Sequence, residues 1–244
     1  MKQVLLTVKE NAPLTENVYK MTLSGDCSGI TSAGQFVNIK IDGLFLRRPI
    51  SVCDSSADLL TVIYKVVGKG TKAMSEMESG TVLDVLTGLG NGYDLSKSGN
   101  APLLIGGGVG VPPMYLLAKE LRRQGKSVSV ILGFNTKNEV FYEDEFKSIG
   151  CTVTVTTADG SYGVQGFVTN AMDRKYSYFY CCGPEPMLKA VYKSSDTSGQ
   201  FSFEERMGCG FGACMGCSCK TVTGYKRICK DGPVLEKEEI LWED

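Results

Sequence analysis

The chain has 244 residues, with 26 Lys+Arg against 27 Asp+Glu, a net charge of -1 and no histidine. That length accommodates two domains with cores of their own and a small third element. The near-zero charge argues against a polyanion partner such as nucleic acid, and the missing imidazole removes histidine metal sites, Ser-His or Cys-His nucleophiles and histidine acid–base catalysis. Chemistry must therefore be carried by cofactors that the protein holds and orients.

The N-terminal run Met-Lys-Gln-Val-Leu-Leu-Thr-Val-Lys-Glu alternates, and is too short and too charged for a signal peptide. No apolar stretch has the length of a membrane span. The expectation is a cytoplasmic protein with neither membrane nor nucleic acid as partner, in which thiols stay reduced and clustered cysteines point to metal. Residues 1–98 read as β structure. Short alternating or β-branched runs at 3–8, 18–23, 35–41, 50–53, 59–67 and 81–86, separated by Gly, Asp, Asn and Ser, predict a small antiparallel barrel. One helical stretch, 71–77, follows Gly68-Lys-Gly70.

From Ala101 the period changes. Strands are predicted at 103–105, 128–133, 152–157 and 176–181, alternating with helices at 114–124, 143–148, 165–172 and 186–193. That alternation predicts a parallel sheet covered on both faces, in an α/β domain over 101–200. Residues 201–244 are rich in Gly and Cys with little apolar periodicity, and are expected to need a metal in order to fold. The expected fold class is thus an antiparallel barrel, a parallel-sheet α/β domain and a small C-terminal metal-binding segment.

Five of the ten cysteines lie in this last segment: Cys209, Cys214, Cys217, Cys219 and Cys229. The first three have C-x4-C-x2-C spacing with a further cysteine beyond, the arrangement by which plant-type ferredoxins hold a [2Fe–2S] cluster. A structural zinc site is the competing reading. Against it, three ligands sit in one loop whose glycines 208, 210, 212 and 216 can turn backbone amides toward cluster sulfur. Cys219 stands only two residues from Cys217, whereas a hairpin around Thr223-Gly224 can return Cys229 to the loop. The expected ligands are Cys209, Cys214, Cys217 and Cys229, with Cys219 a nearby thiol.

Upstream, Arg47-Arg48-Pro49-Ile50-Ser51 enters a barrel strand. Read by itself it is a charged strand end, but the string resembles the R-x-[YFIL]-S motif of ferredoxin–NADP reductase-like flavoproteins. The resemblance implies that Arg48 contacts an FAD phosphate and Ser51 the flavin edge, with Pro49 and Ile50 between them. Ile50 stands where many relatives have Tyr, so ring stacking by that side chain is lost. In the same family a glycine and a Ser or Thr open a helix over the FAD pyrophosphate. Here Ile63, Tyr64 and Lys65 lead to Gly70 and Thr71, where free N–H groups and the helix dipole favour an anion.

The loop Gly106-Gly107-Gly108-Val-Gly110-Val-Pro-Pro113 departs from the strict dinucleotide fingerprint, since Val111 takes the third glycine's place and no acidic residue ends the next strand. It resembles the reductase family's G-G-G-x-G-x-x-P loop. Cys182-Gly183-Pro184-Glu185-Pro186-Met187 resembles that family's C-G-P-x-x-M element beside the nicotinamide. The implied NAD contacts are Gly107, Gly108, Gly110, Cys182, Gly183 and Pro184. Residues 133–138 lack the Ser-Arg or Arg pair that holds a 2′-phosphate, which favours NADH over NADPH.

With Cys229-Lys-Asp-Gly-Pro-Val after the last ligand, the whole chain resembles the electron-transfer subunits of type B dihydroorotate dehydrogenase. That family implies FAD, a [2Fe–2S] cluster and NAD, and a partner catalytic subunit carrying FMN in a heterotetramer of two subunits of each kind. It implies a place in pyrimidine biosynthesis, with no catalytic substrate base on this chain. Two alternatives stand: a self-standing or complex-bound reductase subunit of NAD(P)H:ferredoxin type, and a zinc-stabilised interaction module. The expected partner surface is the cluster loop with the tail to Trp242.

Overall fold

The structure, a computed structural model, describes residues 1–172 and 175–242. Six antiparallel strands close into a barrel: β1 (Lys2–Pro13), β2 (Val18–Ser24), β3 (Phe36–Ile39), β4 (Arg48–Ser55), β5 (Leu59–Lys65) and β6 (Val82–Leu89). Their order around the barrel is β1-β2-β5-β4-β3-β6, with β6 returning to pair with β1. Alternation decides the faces: Leu6, Val8, Met21, Leu23, Val37, Ile39, Leu60 and Val62 fill the interior. Helix α1 (Lys69–Ser75) follows β5 and begins two residues earlier than predicted, so Gly70 and Thr71 lie inside its first turn.

The second sheet contains β7 (Leu103–Gly107), β8 (Ser129–Phe134), β9 (Thr152–Thr157), β10 (Val164–Gln165), β11 (Phe179–Cys182) and β12 (Gly199–Ser202), all parallel, in the order β10-β9-β8-β7-β11-β12. Helices α2 (Pro112–Arg123), α3 (Glu143–Ser148) and α4 (Glu185–Ser194) connect them. Proline at the first position of α2 costs no hydrogen bond, because that N–H has no intrahelical acceptor.

One predicted helix does not form. Residues 165–172 instead end a two-residue strand and make a 3-10 turn, Val168–Ala171. Gly163 and Gly166 take positive φ there, and the Asn170 side chain accepts from the Phe167 N–H at 2.9 Å, so a local side-chain turn displaces the helix.

The C-terminal segment forms the hairpin β13 (Ser218–Thr221) and β14 (Gly224–Arg227), closed by Val222-Thr223, then β15 (Val234–Glu236). Strand β15 adds to the parallel sheet antiparallel to β12, and β12 itself spans residues 200 and 201. The segment thus borrows a core. Ile228, Leu235 and Ile240 pack with Phe179, Phe201, Leu188 and Val191 on one face of the sheet. On the other face, Leu104, Val130 and Leu132 join α2 and the barrel interior in a single cluster. The central sheet is buried on both sides, once by the barrel side and once by the C-terminal side.

Candidate functional site

Strand β4 carries Arg48, Pro49, Ile50 and Ser51 opposite Ile39, Asn38, Val37 and Phe36 of β3. The Arg48 side chain reaches back over α1: its Nη1 donates to the carbonyl of Leu46 at 2.5 Å, and a methyl placed on Gly70 would collide with its guanidinium. Only glycine leaves that cradle open, and the first-turn N–H groups of α1 have no partner within the helix. Thr71 is buried, and its hydroxyl is occupied locally. It accepts from the Val67 and Gly68 N–H groups at 2.9 and 3.2 Å and donates to the Gly68 carbonyl. It therefore shapes the loop and offers its N–H rather than its hydroxyl.

The residues before α1 divide by face. Tyr64 points into the barrel, and its hydroxyl donates to Asn11 Oδ1 at 2.9 Å. Asn11 Nδ2 in turn donates to the carbonyls of Met74 and Met77, which fixes the far end of α1. Ile63 is buried on the opposite face and Lys65 is exposed. Strand β5 packs against the Gly108–Gly110 turn, and α2 packs along β4. Across that junction Lys119 forms an ion pair with Asp54 at 2.6 Å.

The Gly106–Pro113 and Cys182–Met187 loops meet. Strands β7 and β11 are parallel neighbours with Gly106 opposite Cys182, so both loops leave their carboxyl ends side by side. The chain proceeds from β7 to β8 on one side and from β11 to β12 on the other, which makes this the topological switch point where open α/β sheets bind ligands. Glycine is needed for the closeness: a methyl on Gly110 would strike the Cys182 carbonyl, and one on Gly107 the Met187 sulfur and Pro184, whose Cδ lies 3.3 Å away. Gly108 turns with φ +52 and faces open space. Gly183 lies 3.2 Å, measured from its would-be methyl, from the Gly107 nitrogen. Burial pushes the Cys182 thiol up to about 12, so it stays protonated there.

The cysteines come together in two pairs. Cys209 Sγ accepts from the N–H groups of Ala213 at 3.2 Å and Cys214 at 3.4 Å, while Cys214 Sγ accepts from the Cys209 N–H at 3.5 Å. Cys217 Sγ accepts from the Cys229 N–H at 3.4 Å. Burial raises the Cys209 thiol, but the N–H groups of Phe211 and Cys214, the Cys214 thiol and the Ala213 N–H outweigh it and hold the group well below the usual thiol range. Burial and then the neighbouring Cys217 push Cys229 the other way. Among the described residues no three metal-ligating side chains converge on one point. Cys219 lies on β13, half-buried opposite Lys226.

Several supporting residues have no motif of their own. Arg227 Nη1 donates to the Gly212 carbonyl at 2.9 Å, and its Nε to Asp231 at 2.9 Å, so the Asp of the Cys-Lys-Asp-Gly-Pro run steadies the glycine loop through Arg227. Asn91 copies a strand partner: Nδ2 donates to the Val234 carbonyl at 2.8 Å, and Oδ1 accepts from the Val234 N–H at 3.0 Å. Asn38, on β3, donates to the Cys209 carbonyl at 3.3 Å. Its one signal in the sequence is an amide interrupting the apolar run Phe-Val-Asn-Ile. The cluster loop leaves Phe211 and Met215 exposed. Trp242, by contrast, packs against Phe203 and Tyr192 with the Lys189 ammonium over its ring, so the tail's largest side chain is turned inward.

Comparison with known proteins matches these parts in order. A family model for the oxidoreductase NAD-binding domain covers residues 104–193, and one for the iron–sulfur cluster binding domain of dihydroorotate dehydrogenase B covers 204–241. The electron transfer subunit of dihydroorotate dehydrogenase B (NAD(+)) from Bacillus pumilus is 45% identical over 98% of both chains. The one from Fusobacterium nucleatum is 47% identical over 96% of both. Among solved structures, one reported for an NADH-dependent reduced ferredoxin-NADP oxidoreductase superposes with a TM-score of 0.89 at 31% identity, covering 98% of this chain and 90% of that one. A ferredoxin NADP+ reductase from Neisseria gonorrhoeae, at 17% identity and TM-score 0.68 over 80% of this chain and 90% of that one, shares the fold.

Proposed function

The chain belongs to the family of electron transfer subunits of NAD-dependent dihydroorotate dehydrogenase B, and from that premise we propose that it relays electrons between NAD(H) and a dihydroorotate-oxidising catalytic subunit through FAD and a [2Fe–2S] cluster. The observation that carries this reading is the adjacency of the three motif sets. The β3–β4–β5 wall of the barrel touches the Gly108–Gly110 turn on one side and, through Asn38, the Cys209 loop on another.

The residues fit the groups assigned to them. The Arg48 guanidinium over Gly70, with the first-turn N–H groups of Gly70 and Thr71, forms a cradle for a pyrophosphate. The Ser51 hydroxyl, half-buried on the same strand, offers a hydrogen bond to a flavin edge. Gly107, Gly108 and Gly110 with Cys182, Gly183 and Pro184 leave backbone free to approach a dinucleotide at the switch point, and NADH is preferred because 133–138 lacks the Ser-Arg or Arg pair that holds a 2′-phosphate. Cys209, Cys214, Cys217 and Cys229, the first pair and the second pair each joined by N–H···S contacts, would supply the four thiolates that hold a [2Fe–2S] cluster. When bound, the nicotinamide exchanges a hydride, the flavin converts between two-electron and one-electron transfer, and the cluster carries electrons singly.

Proton abstraction from dihydroorotate belongs, on this reading, with a partner subunit carrying FMN. The assembly is a cytoplasmic heterotetramer serving pyrimidine biosynthesis. Identity to the dihydroorotate dehydrogenase subunits exceeds that to the ferredoxin-NADP oxidoreductase, 45% against 31%, over similar coverage. Purified alone, the chain will carry FAD and two irons and be bleached by NADH faster than by NADPH. With the catalytic subunit it will support dihydroorotate-dependent reduction of NAD+. A colourless, zinc-containing protein would overturn the reading.

A further inference from the structure

We propose that Asn38 is a positioning residue for electron transfer between the flavin strand and the cluster. The inference rests on the functional reading above and adds to it the part that fixes the two redox sites to each other.

Strand β3 is short and its side chains alternate. Val37 and Ile39 enter the barrel core, while Phe36 faces outward into the apolar cluster that includes Cys217 and Cys229, and alternation puts Asn38 on the same face as Phe36. Asn38 is only 1% exposed. It stands opposite Pro49 of the Arg-Pro-Ile-Ser run on one side and Leu86 of β6 on the other, so its backbone is held between two strands. Its carbonyl also accepts from Arg47 Nη1 at 3.3 Å, and Arg47 is paired with Asp84 at 3.0 Å. A side chain projecting from so rigid a base has little freedom, which is what precise placement of a neighbouring group requires.

From that base the Asn38 amide crosses between modules. Nδ2 donates to the main-chain carbonyl of Cys209, the first cluster ligand. Gly210, with φ +77, lies so close that a methyl there would collide with Nδ2. The loop is therefore shaped around the amide, with glycine at the one position where a side chain would block it. The other half of the amide is unpaired: Asn38 Oδ1 is buried with no hydrogen-bond partner among the described residues. A buried unpaired acceptor is a cost that an apolar residue of similar size avoids. Packing alone does not call for asparagine here, and the contact it does make is to a ligand of the cluster. Hydrogen bonds around iron–sulfur ligands set their orientation and potential, and outer partners of this kind typically change affinity or activity by about 10–100-fold when removed.

The test uses the full-length holoprotein and the variants Asn38→Leu and Asn38→Gln. Asn38→Leu should keep its FAD, its rate of flavin reduction by NADH and its thermal midpoint. Its cluster should be reduced about tenfold more slowly after the flavin. The electron paramagnetic resonance signal of the reduced cluster should shift, and amide hydrogens of residues 208–216 should exchange faster with deuterium. Asn38→Gln, which retains a donor, should recover part of each change. If Asn38→Leu loses the cluster and Asn38→Gln keeps it, the inference also holds. Unchanged spectrum, exchange and cluster reduction in Asn38→Leu would overturn it, as would equal loss of the cluster in both variants. A wild-type protein with no flavin or no [2Fe–2S] cluster would instead defeat the functional reading, whatever Asn38 does.

Discussion

At the scale of single residues, the informative positions are those where one atom more or less decides whether a site exists. Cys219 and Cys229 are both within reach of Cys217 along the chain, but only Cys229 places its N–H on Cys217 Sγ, while Cys219 lies on β13 opposite Lys226. Cys219→Ser should therefore leave iron content and visible spectrum unchanged, and Cys229→Ser should abolish both, as iron analysis and absorption will show. At Gly70 a methyl meets the mobile end of Arg48 rather than backbone. Gly70→Ala should fold with the wild-type melting temperature, yet lose flavin affinity about tenfold, roughly the value of one displaced charge-assisted hydrogen bond. Fluorescence titration of the apoprotein with FAD measures that change. The motif residues were visible as candidates in the sequence because their types suit such chemistry: guanidinium, glycine, thiol. Asn38, Asn91 and Arg227 were not, because an amide or guanidinium serving a carbonyl from another module has no local signature.

At the scale of elements, the strands and the longer helices follow their periodicity, and the departures have local causes. Helix 143–148 and strand 152–157 form where predicted. The stretch 165–172 has helical spacing but two glycines at positive φ and an Asn that satisfies its own backbone, and it turns instead. Strands β12 and β15 escaped notice because three or four residues show too little alternation, and what makes them strands is a neighbour already in place. Asn91 is the clamp that seats β15, through hydrogen bonds to both backbone groups of Val234. Asn91→Ala should cost about 2 kcal/mol by stranding those groups, lowering the melting temperature by roughly 4–8 °C in a chain of this size. Differential scanning fluorimetry on the holoprotein checks it; a shift below 1 °C would contradict the clamp.

At the scale of the whole molecule, the three motif regions share cores rather than standing apart. One apolar cluster runs from the barrel interior through α2 to the sheet, and a second from the other sheet face into the C-terminal segment. Limited proteolysis should accordingly release no long-lived barrel fragment ending near residue 98; a stable fragment of that size would show that the barrel folds independently. The sequence by itself determined the modules, their order and their chemistry, because strand and helix periods, glycine loops and cysteine spacing are local properties written within a few residues. Tertiary structure alone decided how they meet: which cysteines pair, that the Gly106–Gly110 and Cys182–Pro184 loops share a switch point, that Arg48 lies over Gly70, and that Asn38 joins a barrel strand to the Cys209 carbonyl 171 positions away. Those contacts depend on strand order and on which face each side chain takes once the sheets are closed. No window of sequence short enough to show a pattern contains both partners.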